Sequence, residues 1–426
     1  GLAFASAFYM VGFGEYVRTI FGLGGAIGVG PITISVVKLL ALFGAVLFVL
    51  VNYVGARETG SLQIVIVGVL VAILTVVTVV GAFNFDPANL PAGKGLSPTL
   101  TTTGLIFVSY LGFVQITSVA EEVKNPDENL PRAIIGSVVV VTAIYALALI
   151  TMASAVEPGF IAEQQLAGNI AVVEIGRYLL GPAGAIALLV GGLLATASSA
   201  NASILASSRI NFAMGRDRLI TPKLNEVHHR FSTPYRAIAI TGALILLFIV
   251  FGNVELLATL GSVLHLIIYA LLNVGLIVFR EAEVADYDPA YTVPLYPITP
   301  IAGALTSLGL IVFIEPKVIG FSGLLVLGAI AWYFLYAQSR TSVEGALSDF
   351  ISTREEEMPG PVVSAASELG PDGGDFRVMV PLANPAHEQE LVTLAAAIAK
   401  ARGGTVDAVH IIAVPEQTSL QYAAEH

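Results

Sequence analysis

An all-α, polytopic membrane fold is predicted by three observations. The 426 residues are 56% hydrophobic and 12% charged, about half the roughly 25% charge of a soluble domain. Nine charge-free windows of at least 18 residues follow one another along the chain, and about 20 apolar residues at 1.5 Å rise cross the roughly 30 Å of a bilayer's hydrocarbon. The period-2 alternation of a membrane barrel is missing from them. The same composition excludes whole classes of function. Zero Cys removes disulfide frameworks, Cys-ligated zinc and thiol nucleophiles. A net charge of −11 with a single Trp does not suit a nucleic-acid partner, which needs a basic face. Neither H-E-x-x-H nor G-x-S-x-G occurs and no carboxylate pair lies inside a window, so the sequence reads as no enzyme, with no cofactor and no metal site.

The elements follow in order. A first helix runs from Gly1 to Tyr16–Arg18, where Glu15 and Arg18 are i,i+3 partners near the outer end. The stretch 19–37 is charge-free but Gly-rich, and is expected to be a loop into the second helix. The windows are 39–56, 59–85, 95–120, 133–156, 178–208, 237–254, 256–279, 289–314 and 318–339, which makes ten expected helices. Gly and Pro recur within them, as membrane helices tolerate. Lys38, at the front of the second helix, either snorkels to the outer surface or is a buried functional ammonium. Loops after the even-numbered helices carry Arg57, Lys124, Arg132, Arg209, Arg216, Arg218, Lys223, Arg230, Arg236, Arg280, Arg340 and Arg354, against Arg18, Lys94, Arg177 and Lys317 on the other side. Positive residues stay inside, so the first set and the C-terminus are expected in the cytoplasm of a cell-membrane protein.

Three segments are expected: a membrane domain over 1–338, an acidic linker over 339–375, and the beginning of an α/β domain over 376–426. Residues 339–426 hold 13 Asp/Glu and 5 Lys/Arg, and so carry most of the net negative charge. FRVMVPL (376–382) reads as a buried strand, 387–404 as a helix stopped by Gly-Gly, and TVDAVHIIAV (405–414) as a second strand, parallel to the first by the βαβ rule. The start without Met or a signal-peptide pattern, and the stop after two strands, read as a chain cut at both ends. The adjacent pair His228-His229 reads as part of a solvated loop rather than a metal site, and His265 as a hydrogen-bonded packing residue.

The fourth helix and its flank are the most informative stretch. Gly112 lies mid-window beside Phe107, Ser109, Tyr110 and Phe113, with Gln115, Thr117 and Ser118 following. Such residues either let a membrane helix unwind and offer its backbone to a ligand, or simply let two helices approach closely. The residues alone leave both readings open. The flank Glu121-Glu122-Val123-Lys124-Asn125-Pro126, then Leu130-Pro131-Arg132, resembles the signature after the sixth helix of amino acid–polyamine–organocation transporters. Asn52-Tyr53-Val54-Gly55-Ala56-Arg57-Glu58-Thr59-Gly60 is similar to that family's turn between its fourth and fifth helices. Thr196, Ser198, Ser199, Asn201, Ser208-Arg209, Gly215-Arg216-Asp217-Arg218-Leu219 and Thr221-Pro222 resemble its eighth helix and the loop beyond, with Thr233-Pro234 leading into the next span. These anchors keep their order over residues 1–338.

The resemblance implies two inverted five-helix repeats around a midplane site, here lacking the family's first two helices, one of which supplies a Gly-rich half of that site. It implies substrate contacts at Phe107, Ser109, Tyr110, Gly112, Ser199 and Ser203, with the segment Ser6–Tyr9 alongside, and an ion site at Ser198 and Ser199. Some family members carry a Lys in the fifth helix in place of sodium; GSLQIVIVGVLVAILTVV, the matching segment, has none, and no Asp or Glu lies deep in a span. The coupling ion, H+ or Na+, stays open. The tail resembles the start of a universal stress protein domain, but Ala383 stands where nucleotide-binding members carry an acidic residue, so nucleotide binding by the tail is unsupported. The implied function is secondary active transport of amino acids across the lipid bilayer. Cotransport of inorganic cations with chloride on the same fold, and ligand sensing through the tail, are the alternatives.

Overall fold

The computed structural model describes residues 1–29, 32–55, 59–90, 93, 95–281, 289, 291–341, 377–381 and 405–409. Every charge-free window contains helix. The helices are α1 (Leu2–Phe21), α2 (Val36–Val54), α3 (Thr59–Phe83), α4 (Leu96–Ile106), α5 (Gly112–Gln115), α6 (Pro126–Ser154), α7 (Phe160–Leu166), α8 (Ala171–Arg216), α9 (Tyr235–Phe251), α10 (Val254–Glu281), α11 (Ile298–Ile311) and α12 (Pro316–Trp332). Six segments are long and apolar enough to cross a membrane: Val36–Val54, Gln63–Phe83, Pro126–Ser154, Ala171–Arg216, Val254–Glu281 and Pro316–Ala337; Tyr235–Phe251 and Ile298–Ile311 are shorter and equally apolar in kind. The chain is therefore an all-α polytopic membrane protein over this region.

Three boundaries depart from the sequence reading. Within the expected loop 19–37, Ala26–Val29 (β1) and Ile32–Ser35 (β2) pair antiparallel. The glycines drew that expectation, while Ile27, Val29, Ile32, Thr33 and Ile34 are β-branched residues that favour a pleated ribbon. The first helix also extends to Phe21, ending where Gly22 turns left-handed at φ 61° and its N–H caps Arg18 O and Thr19 O. The eighth helix runs past its window to Arg216, so Arg209 and Arg216 belong to its last turns rather than to the following loop. It is two helices in one: Gly181 sits at φ 64°, ψ −154°, directly before Pro182, and the chain kinks there.

The core gathers around α1 and α8. Phe4, Met10, Ala41, Ala45, Ile204, Ile245, Ile249, Leu260 and Leu266 are buried together, and the rings of Phe4 and Phe248 stack with centroids 4.0 Å apart. Four polar pairs tie α8 or its neighbours across this core. Gln63 Nε2 donates to Ser198 Oγ at 2.6 Å, Asn52 Nδ2 to Asn201 Oδ1 at 2.7 Å, Gln115 Nε2 to Ser203 Oγ at 2.8 Å and Asn211 Nδ2 to Thr241 Oγ1 at 2.9 Å. Helix association in lipid lacks a hydrophobic drive, and such pairs fix which faces meet. In the tail, Arg377–Pro381 (β3) and Thr405–Val409 (β4) pair parallel; the expected helix at 387–404 lies outside the described residues.

Lys38 does not need to reach the surface. Its Nζ donates to Val250 O at 2.9 Å, one of the last carbonyls of α9, which no amide further along the helix satisfies. An ammonium at a helix C-terminus also meets the negative end of the dipole, an interaction typically of about 0.3–1 kcal/mol. Lys38→Met should therefore lower the melting temperature of the purified protein by about 1–3 °C. An unchanged melting temperature would show that the contact contributes nothing.

Candidate functional site

The stretch expected as the fourth membrane helix is not a continuous α-helix. Regular α4 stops at Ile106, Phe107–Tyr110 form a 3₁₀ turn, Gly112–Gln115 make the single turn of α5, and Ile116–Glu122 are 3₁₀ again. Each change of pitch removes i→i−4 pairing and releases carbonyl groups, which in an apolar setting require other partners. They find them on three different helices and in the segment itself. Ser262 Oγ of α10 donates to Leu105 O at 3.2 Å, Tyr9 Oη of α1 approaches Val108 O at 3.4 Å, and Leu111 N donates to the same oxygen at 3.3 Å. Ser118 Oγ bonds Gln115 O at 2.7 Å, and Arg209 Nη1 of α8 donates to Ser118 O at 3.1 Å. The irregular backbone is thus held in place by side chains from other helices.

One side of the broken stretch is anchored. Val108 and Leu111 are buried with Ala5 and Ala258, and Tyr9, Phe107 and Tyr269 pack against them. The other side is free: Ser109 and Gly112 are exposed, and a Cβ added at Gly112 meets no atom within 4 Å. Phe107 turns to Tyr269 of α10 with ring centroids 5.7 Å apart, while Tyr110 turns to Tyr145 of α6 at 6.0 Å. Ser203 is fully buried and accepts from Gln115, which lies one turn beyond Gly112. Ser199 is half-buried on α8, and the Oγ of Ser198 is engaged by Gln63. The residues expected to bind substrate therefore have separate surroundings: Ser109 and Gly112 on the open side, Phe107 toward α10, Tyr110 toward α6, and Ser199 and Ser203 on α8.

Toward the end of the broken segment a cavity of about 140 Å³ lies between it and the end of α8, lined by Thr117, Ser118, Arg209, Phe212 and Arg216 among others. Among the described residues no group of three or more His, Asp or Glu side chains could hold a metal ion. His265 is buried and its Nδ1 lies 2.8 Å from Gly261 O, a packing arrangement within its own helix. His228 is not merely solvated, as the sequence suggested, for Tyr53, Phe231 and Tyr235 surround its ring at 4.9–5.7 Å.

Sequence reasoning missed Tyr269, Gln63 and the pairing role of Gln115. Gln115 was visible as a polar residue in an apolar window. Tyr269 carried no such signal, since an isolated tyrosine in a span reads as packing or interface.

Comparison with known proteins points one way. A family profile described as amino acid permease matches residues 1–336. The serine/threonine exchanger SteT of Bacillus subtilis is 26% identical over 340 residues, 76% of this chain and 72% of that protein. The branched-chain amino acid permease BcaP of the same organism is 28% identical over 297 residues, 68% of this chain and 62% of that protein. The methylthioribose transporter of Bacillus subtilis is 28% identical over 252 residues, 59% of this chain and 53% of that protein. The chain thus spans less than two thirds of the length of the latter two.

Proposed function

That this chain belongs to the amino acid permease family, a family of membrane transporters and not enzymes, is the premise from which we propose its function: secondary active transport of amino acids across the cell membrane by alternating access. The observation that carries the reading is the broken fourth segment, whose released carbonyls are held by Tyr9, Ser262 and Arg209 from three other helices. Irregular backbone at membrane depth is tolerated only where it is buried in protein or lines a cavity, and transporters use such breaks to bind their substrates. In this proposal the helices form ten spans of two inverted repeats, and Ser109 and Gly112 face the substrate path. Phe107, Tyr110, Ser199 and Ser203 complete its walls. An amino acid's carboxylate and ammonium suit helix ends that break within the bilayer, where partial charges of both signs are exposed.

The test is uptake of radiolabelled amino acids by vesicles holding the full-length protein, with serine, threonine, leucine and methylthioribose in the panel because relatives carry those names. Saturable, competed uptake of an amino acid is expected. Uptake of methylthioribose alone, or of no solute at all, would sink the reading.

The orientation is a proposal of the same kind, resting on the excess of Lys and Arg in one set of loops. Lys223 is exposed between α8 and α9, and the chain has no native Cys. A Lys223→Cys variant should resist an impermeant maleimide in intact cells and react fully once the cells are opened. Labelling from outside would reverse the topology.

A further inference from the structure

Tyr269 holds the feature of this membrane region that packing explains least. Its hydroxyl is buried and has no hydrogen-bond partner. Tyrosine hydroxyls in apolar interiors normally find one, because stranding a polar group costs about 1–3 kcal/mol. Other polar side chains around the break are satisfied: Ser262 on Leu105 O, Tyr9 near Val108 O, and Gln115 on Ser203.

The ring, by contrast, is held firmly. Phe107 meets it edge-on at 5.7 Å and 68°, and Phe113 stacks on it at 5.7 Å and 29°. Phe107 opens the 3₁₀ turn and Phe113 lies in the short turn of α5, so the tyrosine is clamped by two residues of the break, one on each side of Leu111. A change in the break that moves Phe107 or Phe113 therefore alters the packing around a phenol whose hydroxyl is buried and unpartnered.

We propose that Tyr269 is a substrate-binding residue, donating its O–H to an oxygen of the amino acid once the rings around it move apart. The inference rests on the transport reading above and adds a contact from α10 that the sequence did not reveal. The oxygen belongs either to the carboxylate or to a side-chain hydroxyl, and the two sources give different patterns of loss.

Tyr269→Phe separates function from structure. It keeps the clamped ring and removes only an oxygen that is unpaired in the resting protein, so packing alone forecasts no loss of stability or activity. Uptake by vesicles holding the full-length protein and its Tyr269→Phe variant would be measured for serine, threonine, alanine and leucine, at equal protein amounts. The expected result is a KM raised about tenfold, the equivalent of roughly 1.4 kcal/mol, with the maximal rate little changed. A rise for all four substrates assigns the carboxylate, and a rise confined to serine and threonine assigns the hydroxyl. Wild-type KM for every substrate transported would overturn the proposal. Absence of uptake by the wild-type protein would instead overturn the transport reading on which it rests.

Discussion

Gly112→Leu is expected to reduce amino-acid uptake by about two orders of magnitude while the amount of protein in the membrane stays at the wild-type level. The two halves of that result come from different facts. Gly112 begins α5, directly after the 3₁₀ turn, and an added Cβ there meets no atom within 4 Å. The fold has room for a leucine, so insertion and packing should not suffer. The room is on the side of the break that carries Ser109, the face that the proposed function gives to the substrate path. A branched side chain there keeps a ligand from approaching the main chain, as only Gly allows. Losing a charge-assisted contact costs about 1.5–3 kcal/mol, and every 1.4 kcal/mol is roughly a factor of ten. Gly68 is the control. It too is exposed with open space where a Cβ would go, but it lies within unbroken α3. Gly68→Leu should transport like the wild type. Equal, normal uptake in both variants would place the substrate away from Gly112.

How much of this could be read from the sequence follows the range over which each signal acts. Hydrophobic length is local and additive, so the helical spans were legible, and so was the pair Glu15–Arg18, which forms a salt bridge at 2.5 Å. The break was legible in a weaker sense. Small and hydroxyl residues around Gly112 permit either unwinding or close packing, and the sequence does not say which. That choice is made by Tyr9, Ser262 and Arg209, which lie 99, 157 and 91 positions from the carbonyls they hold. No window of sequence contains such pairs. The hairpin of β1 and β2 failed for the opposite reason: the glycines dominated the reading although β-branched neighbours decide the local geometry. Tyr269 was illegible because its meaning is a missing partner, which exists only once the surroundings are assembled.

Gly14 offers the sharpest contrast to Gly112, because the same substitution should destroy the protein rather than its activity. Gly14 is buried on α1 where that helix crosses α2. A Cβ built there runs into Val37 O and lies 3.0 Å from Ala41 N. Both are backbone atoms of α2, so no flexible side chain can swing aside and the helices themselves must separate. Close approach of this kind is what small residues provide between membrane helices, where dispersion replaces the hydrophobic drive. Overpacking by a few methylenes usually costs about 1–3 kcal/mol, with the larger values where neighbours cannot relax, and here the neighbour is main chain. Separation would also disturb Met10, Ala41 and Ala45, which share the buried cluster around α1. Gly14→Leu should therefore abolish the folded, monodisperse protein on size-exclusion chromatography, and Gly14→Ala should lower its yield and melting temperature without abolishing it. A Gly14→Leu variant recovered in wild-type amount would mean that α1 and α2 can part at little cost, and that their close crossing does not hold this region together.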